Sequence, residues 1–232
     1  MSRRRRIIVR RRFYEQTTMK MQHIIFDFDG TLVDTGELIV ATIQASIEEL
    51  GLPAKTEEEC RAVIGLRLEE VAPAMWPRIP DLSQVYAGSY LRHFERLKAS
   101  IPVRCFPGVP ETLQHLHAAG FGMAIASSRN HRSLAAYVEG FGLKDYFCEL
   151  IGGDDVERGK PAPDPVLAIL ARRAWMPEQT LVVGDMAVDI RMGSAAGTQT
   201  CGVTYGNGSH EALTAAGATY VLDDFRTLPT LL

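Results

Sequence analysis

The sequence is short of the residues that build disulfide scaffolds and zinc sites. Its 232 residues include four cysteines, which are far apart and form no CxxC pair. Its six histidines show no spacing typical of metal ligands. Disulfide-rich domains and zinc sites both depend on repeated or closely spaced cysteines and histidines. The composition therefore argues against both classes and favours a reducing compartment, so we expect a cytoplasmic protein.

Long apolar runs are missing as well. No stretch approaches the roughly 18 apolar residues that are needed to cross a bilayer. The N-terminal end also lacks the apolar core and small-residue cleavage site of a secretory signal. With 46% hydrophobic and 23% charged residues, the composition is that of a globular protein. The length allows a large core and a small second domain.

Positive charge is scarce except at the N-terminal end. Residues 1–20 contain eight basic residues and one acidic residue, whereas residues 21–232 contain 17 basic and 27 acidic residues. A basic stretch of this kind can bind nucleic acid or an anionic membrane, but short charge-dense tails are commonly disordered. We therefore expect residues 1–20 to be a disordered basic extension, or to reflect a start site assigned too early. We expect no nucleic-acid or membrane partner.

Two kinds of hydrophobic pattern divide the rest of the chain. No strand signal is present between residues 36 and 100, and this stretch is predicted to be helical. Its predicted helices cover residues 36–50, 56–72 and 82–99. From Arg104 onward, short apolar runs alternate with helical segments, a pattern typical of a parallel sheet with helices on both faces. We predict an α/β core of residues 21–34 and 104–232, with residues 35–103 inserted as a helical domain.

Acidic residues follow two of the short apolar runs. Asp27 and Asp29 come after Ile-Ile-Phe, and Asp185 and Asp189 come after Leu-Val-Val-Gly. Acidic side chains at the ends of buried strands are costly to desolvate unless a cation compensates them. Carboxylate oxygens without nitrogen or sulfur ligands suit Mg²⁺. The two aspartate pairs therefore predict a Mg²⁺ site that handles phosphate.

Polar residues also follow the predicted strands between these pairs. Ser127 and Ser128 follow the second core strand, and Lys160 lies beyond the third, in Gly-Lys-Pro-Ala-Pro. Arg129 and Asn130, next to the serines, are weaker candidates. In open α/β sheets, ligands bind beyond the carboxyl ends of the strands. We therefore expect the groups that follow the first four core strands to meet at one edge of the sheet.

These segments resemble, in order, the four motifs of the haloacid dehalogenase-like hydrolase superfamily. Asp27-Phe-Asp-Gly-Thr-Leu-Val-Asp34 is similar to the first motif, Ser127 to the second, Lys160 to the third, and Gly184-Asp-Met-Ala-Val-Asp189 to the fourth. The resemblance covers about residues 22–232 and, within the superfamily, points to phosphoglycolate phosphatase-type members. It implies a doubly wound, parallel-sheet, Rossmann-like core with a small all-helical cap domain inserted after the first strand.

The resemblance also implies a catalytic role for each charged residue. Asp27 would be the nucleophile that forms an aspartyl-phosphate, and Asp29 the acid and then the base. Mg²⁺ would be held by the carboxylates of Asp27 and Asp185 and by the backbone carbonyl of Asp29. Lys160 would neutralise phosphate and hold Asp27 in place. Asp189 would support the metal's water or Lys160.

Three further positions are candidates for substrate binding. Ser127 would donate its hydroxyl to phosphate, and Ser128 would add a backbone N–H at the strand-to-helix turn. Members of the superfamily often have Asn where Ser128 stands, which leaves the role of its side chain open. Arg67 lies where related caps carry a substrate-contact loop, although an exposed arginine at the start of a helix explains it equally well.

Other activities of the superfamily can be compared with the sequence. Asp29 argues against a dehalogenase, which uses only the nucleophilic aspartate. Ile39 stands where a β-phosphoglucomutase would have histidine, and Lys55 is an unpersuasive Schiff-base lysine for phosphonate hydrolysis. We therefore predict a phosphoric monoester hydrolase acting on a small phosphorylated metabolite, with 2-phosphoglycolate as the best candidate.

Three alternatives stay open at this point. Inorganic pyrophosphate and sugar phosphates are substrates of other members of the same superfamily. A non-catalytic binding module, with a basic arm for nucleic acid or membrane, is the alternative of a different class. The four intact motifs argue against such a module. The sequence allows either a monomer or a homodimer.

Overall fold

The fold is described by a computed structural model that covers residues 20–232. The predicted basic extension lies almost wholly outside these residues. The strands are β1 (His23–Phe26), β2 (Val33–Asp34), β3 (Arg104–Cys105), β4 (Gly122–Ala126), β5 (Glu149–Ile151), β6 (Thr180–Gly184), β7 (Gln199–Val203) and β8 (Tyr220–Leu222). The α-helices are α1 (Gly36–Leu50), α2 (Glu57–Arg61), α3 (Leu68–Met75), α4 (Leu82–Leu97), α5 (Val109–Ala118), α6 (His131–Gly140), α7 (Asp164–Arg173), α8 (Ala187–Ala195) and α9 (His210–Ala215).

Six of the strands form one parallel sheet in the order β5-β4-β1-β6-β7-β8. Side chains alternate across β1, so Ile24 and Phe26 join the apolar cluster on one face while Ile25 joins the cluster on the other. A parallel sheet must be covered on both faces, and the helices between the strands supply that cover. The predicted doubly wound α/β fold is confirmed.

The register of the central strands fixes where the chain leaves the sheet. Phe26 pairs with Ile125 on β4 and with Val183 on β6. The residues that follow these three positions therefore emerge side by side at one edge. The first strand is shorter than the predicted 22–28 segment, because regular pairing ends at Phe26 and Asp27 already lies in the following loop.

Helices α1 to α4 form the inserted cap between β2 and β3. They enclose an apolar cluster of their own, with Tyr86 of α4 fully buried at 0% exposure. The predicted single helix over 56–72 is wrong, because the chain breaks into α2 and α3. Gly65 lies in the break with a φ of 95°, a conformation that suits glycine and ends the helical path.

The predicted end of this helical segment, at residue 72, also comes too early. Helix α3 continues through Pro73 to Met75. Val71, Ala72 and Met75 bury their side chains in the cap cluster. This burial offsets the single hydrogen bond that proline cannot donate.

A small antiparallel pair, β2 with β3, lies where the chain enters and leaves the cap. Val33 pairs with Cys105 and Asp34 with Arg104. Each strand has two residues, too few to give an alternating pattern in the sequence. The exact division of the chain into core and cap stays a prediction. Within residues 20–232, no helix is long and apolar enough to cross a membrane.

Candidate active site

Four charged side chains meet beyond the carboxyl ends of the strands, in a group that we call the charge cluster. Asp27 follows β1, Asp185 follows β6, Asp189 lies in the first turn of α8, and Lys160 lies in the loop before α7. All four are buried, with exposures of 0 to 4%. Buried charges need partners, so the contacts within the cluster define its chemistry.

Lys160 is the cation of the charge cluster. Its Nζ donates to Oδ1 of Asp27 and, over 2.6 Å, to Oδ1 of Asp189. Burial alone would disfavour the charged lysine, but the two carboxylates outweigh it and raise the pKa of Lys160 above its ordinary value. The lysine therefore stays protonated and fixes one oxygen of Asp27.

Asp185 is held from two sides by neutral donors. Its Oδ1 accepts from the Thr31 hydroxyl at 3.1 Å. Its Oδ2 accepts from the backbone N–H of Asn207 at 2.8 Å and from the Asn207 side-chain amide at 3.0 Å. Gly30 packs so closely here that a Cβ on it would lie 2.2 Å from Oδ2 of Asp185. The carboxylate is therefore locked in orientation.

The charge cluster carries more negative charge than Lys160 can balance. Carboxylate oxygens of Asp27, Asp185 and Asp189 lie within 4.8 Å of one another. Burial raises the pKa of Asp27 well above its ordinary value, and burial with the neighbouring Asp189 charge raises the pKa of Asp185 to about 7. A divalent cation bound among these oxygens would reverse both shifts. The all-oxygen donor set fits a hard cation such as Mg²⁺ or Ca²⁺.

Both carboxylate oxygens of Asp189 accept hydrogen bonds from other residues of the protein. Its Oδ1 accepts from Lys160, and its Oδ2 accepts from the backbone N–H of Met186 at 3.0 Å. The second bond closes the first turn of α8, where a carboxylate also complements the helix dipole. Asp189 therefore orients Lys160 and anchors the loop that carries Asp185.

Asp29 points toward a different set of partners. Its Oδ1 accepts from the Thr35 hydroxyl at 2.8 Å and from the guanidinium of Arg129. Its Oδ2 accepts from Nε of Arg129 at 3.1 Å. Both oxygens are thus bonded within the protein. Asp29 and Arg129 are 13% and 10% exposed, respectively, at the wall of a cavity.

The predicted substrate-binding residues lie beside the same cavity. Ser127 is 3% exposed, and its hydroxyl oxygen accepts from the backbone N–H of Arg129 at 3.2 Å. The Ser128 hydroxyl donates to the backbone carbonyl of Gly65 at 2.6 Å, a contact between core and cap. Arg67 uses its two terminal nitrogens on the backbone carbonyls of residues 156 and 157. The substrate roles of these residues stay predictions.

The cavity lies between the sheet edge and the cap, with a volume of about 310 Å³. The core contributes Asp27, Asp29 and the loop from Ser127 to Asn130. The cap wall is mainly apolar, with contributions from Ile39, Ile43, Val63, Leu66, Val71, Tyr90, Leu91 and Phe94. The site is thus polar on the side of the charge cluster and apolar on the opposite side.

Sequence reasoning missed Asn207 and the hydroxyls of Thr31 and Thr35. Asn207 belongs to a Gly-Asn-Gly segment shortly after β7. Ligand-binding groups follow the carboxyl ends of strands in such sheets, and we expected this of the first four core strands only. The same expectation for the fifth core strand, β7, points to this loop. Thr31 lies within the first motif and Thr35 directly follows it, but neither showed a signal of its own.

Comparisons with known proteins agree with this architecture. The sequence pattern of the family described as haloacid dehalogenase-like hydrolase matches residues 24–203. The chain is similar to phosphoglycolate phosphatase from Salmonella typhimurium, with 32% identity over 235 residues, covering 90% of this chain and 92% of that protein. It is also similar to pyrophosphatase PpaX from Anoxybacillus flavithermus, with 31% identity over 215 residues, covering 92% of this chain and 98% of that protein.

Solved structures share the fold. The crystal structure of a predicted phosphoglycolate phosphatase from Haemophilus somnus superposes with a TM-score of 0.82 at 24% identity, covering 93% of this chain and 99% of that chain. The family match runs from β1 to β7 and includes every member of the charge cluster. The chain therefore belongs to the haloacid dehalogenase-like hydrolase family.

Proposed function

We propose that the chain is a Mg²⁺-dependent phosphatase that hydrolyses a small phosphomonoester through an aspartyl-phosphate on Asp27. The observation that carries this proposal is the buried charge cluster at the end of the cavity, in which one oxygen of Asp27 is fixed by Lys160. A carboxylate positioned in this way is a nucleophile that needs no base to activate it.

The first half-reaction uses the free oxygen of Asp27. Its Oδ1 is held by Lys160, whereas its Oδ2 has only a 3.4 Å contact with the Thr31 hydroxyl among the described residues. Oδ2 attacks phosphorus, and the bond between phosphorus and the leaving oxygen breaks. Asp29 donates a proton to that oxygen, so the alcohol departs and Asp27 carries the phosphoryl group.

The second half-reaction regenerates the enzyme. Asp29, now a carboxylate, takes a proton from a water that attacks phosphorus. The bond between Asp27 and phosphorus breaks, and inorganic phosphate leaves. Lys160, the Ser127 hydroxyl and the backbone N–H of Ser128 stabilise the phosphoryl oxygens throughout, since charge stabilisation and positioning are the main catalytic contributions in phosphoryl transfer.

The carboxylates of Asp27 and Asp185, with the Asp29 carbonyl, would hold Mg²⁺. When bound, the ion supplies the positive charge that the cluster lacks and that the phosphoryl group requires. Asn207 and Thr31 keep Asp185 oriented for this role, as hydrogen-bonded neighbours of metal ligands commonly do.

The best candidate substrate is 2-phosphoglycolate, in keeping with the name of the Salmonella relative. Inorganic pyrophosphate is the second candidate, since pyrophosphatase PpaX is almost as similar in sequence. A cavity of about 310 Å³ suits a small metabolite. We propose that the protein acts in the cytoplasm as a monomer or homodimer.

The test compares wild-type protein with Asp27→Asn on p-nitrophenyl phosphate, 2-phosphoglycolate and pyrophosphate, with and without Mg²⁺. The variant keeps the shape of the side chain but removes the nucleophile, so kcat is expected to fall by about three orders of magnitude or more. An exposed control, Asp223→Asn, is expected to retain wild-type turnover. Wild-type activity in the Asp27 variant would refute the assignment of the nucleophile.

A further inference from the structure

The hydrogen bonds of Asp29 conflict with its proposed role as the acid and then the base. The acid–base group must face the leaving oxygen of the substrate. Here both carboxylate oxygens of Asp29 accept hydrogen bonds from Arg129, and Oδ1 accepts a further one from Thr35. A two-point pairing of guanidinium with carboxylate is among the stronger polar contacts in proteins. Another anion must therefore bind the guanidinium of Arg129 before Asp29 can turn toward the substrate.

Arg129 is fixed firmly on the other side. Its guanidinium lies over the ring of Tyr137, with Cζ 4.7 Å from the centroid, and 5.3 Å from the centroid of Phe94 on the cap. Its Nη1 donates to the Ser133 hydroxyl at 3.1 Å. The aromatic faces and this hydroxyl hold the guanidinium plane in place. The group is therefore better suited to exchanging its anion than to moving away.

Arg129 is also the cation that an anionic substrate would meet in this cavity. Of the described residues that line it, two are basic, Arg67 and Arg129. Arg67 already donates from both terminal nitrogens to backbone carbonyls of the loop before Lys160. The acidic residues of the lining other than Asp27 and Asp29 are exposed: Glu69, Glu95 and Asp154. Of the described residues that line the cavity, only Arg129 presents a guanidinium to a carboxylate.

We propose that a carboxylate on the substrate replaces Asp29 on Arg129, which makes Arg129 the specificity-determining residue and couples substrate recognition to the release of Asp29. The exchange substitutes one carboxylate for another, so the buried guanidinium is never left unpaired. Freed from the guanidinium, Asp29 takes up a proton from water, keeps its hydrogen bond to Thr35 and can turn toward the leaving oxygen. This inference rests on the proposed function, because it assigns the substrate class of the same site.

The mechanism separates substrates by the charge on their leaving group. A phosphomonoester with a carboxylate on a short frame, such as 2-phosphoglycolate, can make the exchange. A neutral frame of the same size cannot, so Asp29 stays paired with Arg129 and the leaving oxygen lacks its proton donor. p-Nitrophenyl phosphate is less sensitive to this loss, because nitrophenolate leaves readily without a proton.

The experiment measures kcat and KM for 2-phosphoglycolate and for 2-hydroxyethyl phosphate, which has the same two-carbon frame with a hydroxymethyl group in place of the carboxylate. Wild-type kcat/KM is expected to favour 2-phosphoglycolate by roughly 10- to 100-fold, the usual effect of a charge-assisted contact. Arg129→Gln is expected to abolish this preference. Arg129→Lys keeps the charge but not the two-point geometry, so it should restore part of it.

Arg132→Gln is the matched control, because Arg132 lies three residues further along the chain, in the first turn of α6, and is exposed. It removes one positive charge close by and is expected to leave the preference unchanged. Circular dichroism verifies that each variant is folded. Binding of 2-phosphoglycolate to Asp27→Asn, measured by calorimetry with and without Arg129→Lys, gives a second readout that needs no turnover and should show weaker binding in the double variant.

Each outcome decides a separate point. A preference that survives in both Arg129 variants would overturn the assignment of Arg129 and leave the phosphatase function standing. A wild-type protein that hydrolyses both compounds equally well would overturn the exchange and the choice of 2-phosphoglycolate. Absence of turnover on every phosphomonoester, p-nitrophenyl phosphate included, would overturn the proposed function itself.

Discussion

The sheet edge and the cap face the same cavity with opposite chemistry. The sheet edge places Asp27, Asp185, Asp189 and Lys160 in a cluster that is almost inaccessible to solvent. The cap contributes mainly apolar side chains, packed around a cluster of its own. The comparison indicates a division of labour, in which the edge supplies a charged centre at a cost in stability and the cap supplies shape and stability.

Of the substitutions that contrast the sheet edge with the rest of the molecule, removal of the cation at the edge is expected to have the largest effect. Lys160→Met leaves three buried carboxylates without their ammonium group, so activity should fall by about 100- to 1,000-fold. The free energy of unfolding of metal-free protein near neutral pH should fall by about 3 kcal/mol, since breaking a buried ion pair leaves uncompensated charge. Urea unfolding and steady-state kinetics check both values.

Lys144→Met is the control for that substitution. Lys144 is 68% exposed and pairs with Glu139 over 3.5 Å, and such surface pairs contribute little. Its loss should change stability by less than about 0.5 kcal/mol. Equal effects from the two lysine variants would contradict the contrast between edge and surface.

The pH dependence of stability tests the excess negative charge directly. The pKa of Asp185 is raised from 3.8 to about 7 by burial and by Asp189. Folded metal-free protein therefore keeps a proton that the unfolded chain has lost. This contribution is fully present below pH 3.8 and is lost as the pH rises through about 7. It amounts to a few kcal/mol, about 4 at most.

Urea unfolding of metal-free protein between about pH 5 and pH 8 measures this loss. Asp185→Asn removes one of the two carboxyls whose pKa is raised and should reduce the pH dependence, whereas the exposed Asp223→Asn should not. Mg²⁺ added at neutral pH should restore stability to the wild-type protein. A wild-type curve that rises over this range would show that Asp185 is ionised in the folded, metal-free state.

A smaller effect is expected from the loop after β7. Asn207→Ala removes the side-chain donor to Asp185 while leaving the backbone donor in place. Loss of a group that orients a metal ligand typically weakens metal binding by about 10- to 100-fold. Calorimetric titration with Mg²⁺ measures the change. Ser209→Ala, which removes the N-terminal cap of α9 in the same loop, should cost stability without weakening Mg²⁺ binding.

The smallest effect is expected in the cap, where the substitution should increase the free energy of unfolding instead of lowering it. The hydroxyl of Tyr86 is buried without a hydrogen-bond partner among the described residues. Tyr86→Phe removes a desolvated polar group and should raise the free energy of unfolding by about 1 kcal/mol, with unchanged kinetics. Tyr220→Phe is the contrast, because the Tyr220 hydroxyl donates to Gln199 at 3.1 Å and its loss should not stabilise. A destabilised Tyr86→Phe protein would indicate a partner for that hydroxyl.

The contrast between the sheet edge and the cap also explains what could be predicted from the sequence. Asp27, Asp185 and Lys160 were identifiable because strand ends converge in a parallel sheet and because charged residues after apolar runs are conspicuous. The cap was recognisable as helical, but its break at Gly65 was not, because the residues on both sides of the break favour a helix. The pairing of β2 with β3 depends on a contact across the whole inserted cap, which no local pattern records.

The pairing of Asp29 with Arg129 is another feature that no local sequence pattern records. Arg129 follows β4, and Asp29 lies a hundred positions earlier in the chain. The sequence identified both as candidates near the same edge. It could not indicate that they bond to each other, because that depends on side-chain conformations set by Tyr137 and by Phe94 of the cap.

The covalent intermediate on Asp27 is the central claim, and mass spectrometry tests it most directly. Asp29→Asn cannot take the proton of the attacking water, whereas p-nitrophenyl phosphate needs no proton for its leaving group, so the intermediate should accumulate in this variant. After acid quenching and proteolysis, we predict one phosphoryl group on the peptide that contains Asp27. Release of p-nitrophenol without phosphorylation of that peptide, or with the phosphoryl group on another residue, would contradict the account.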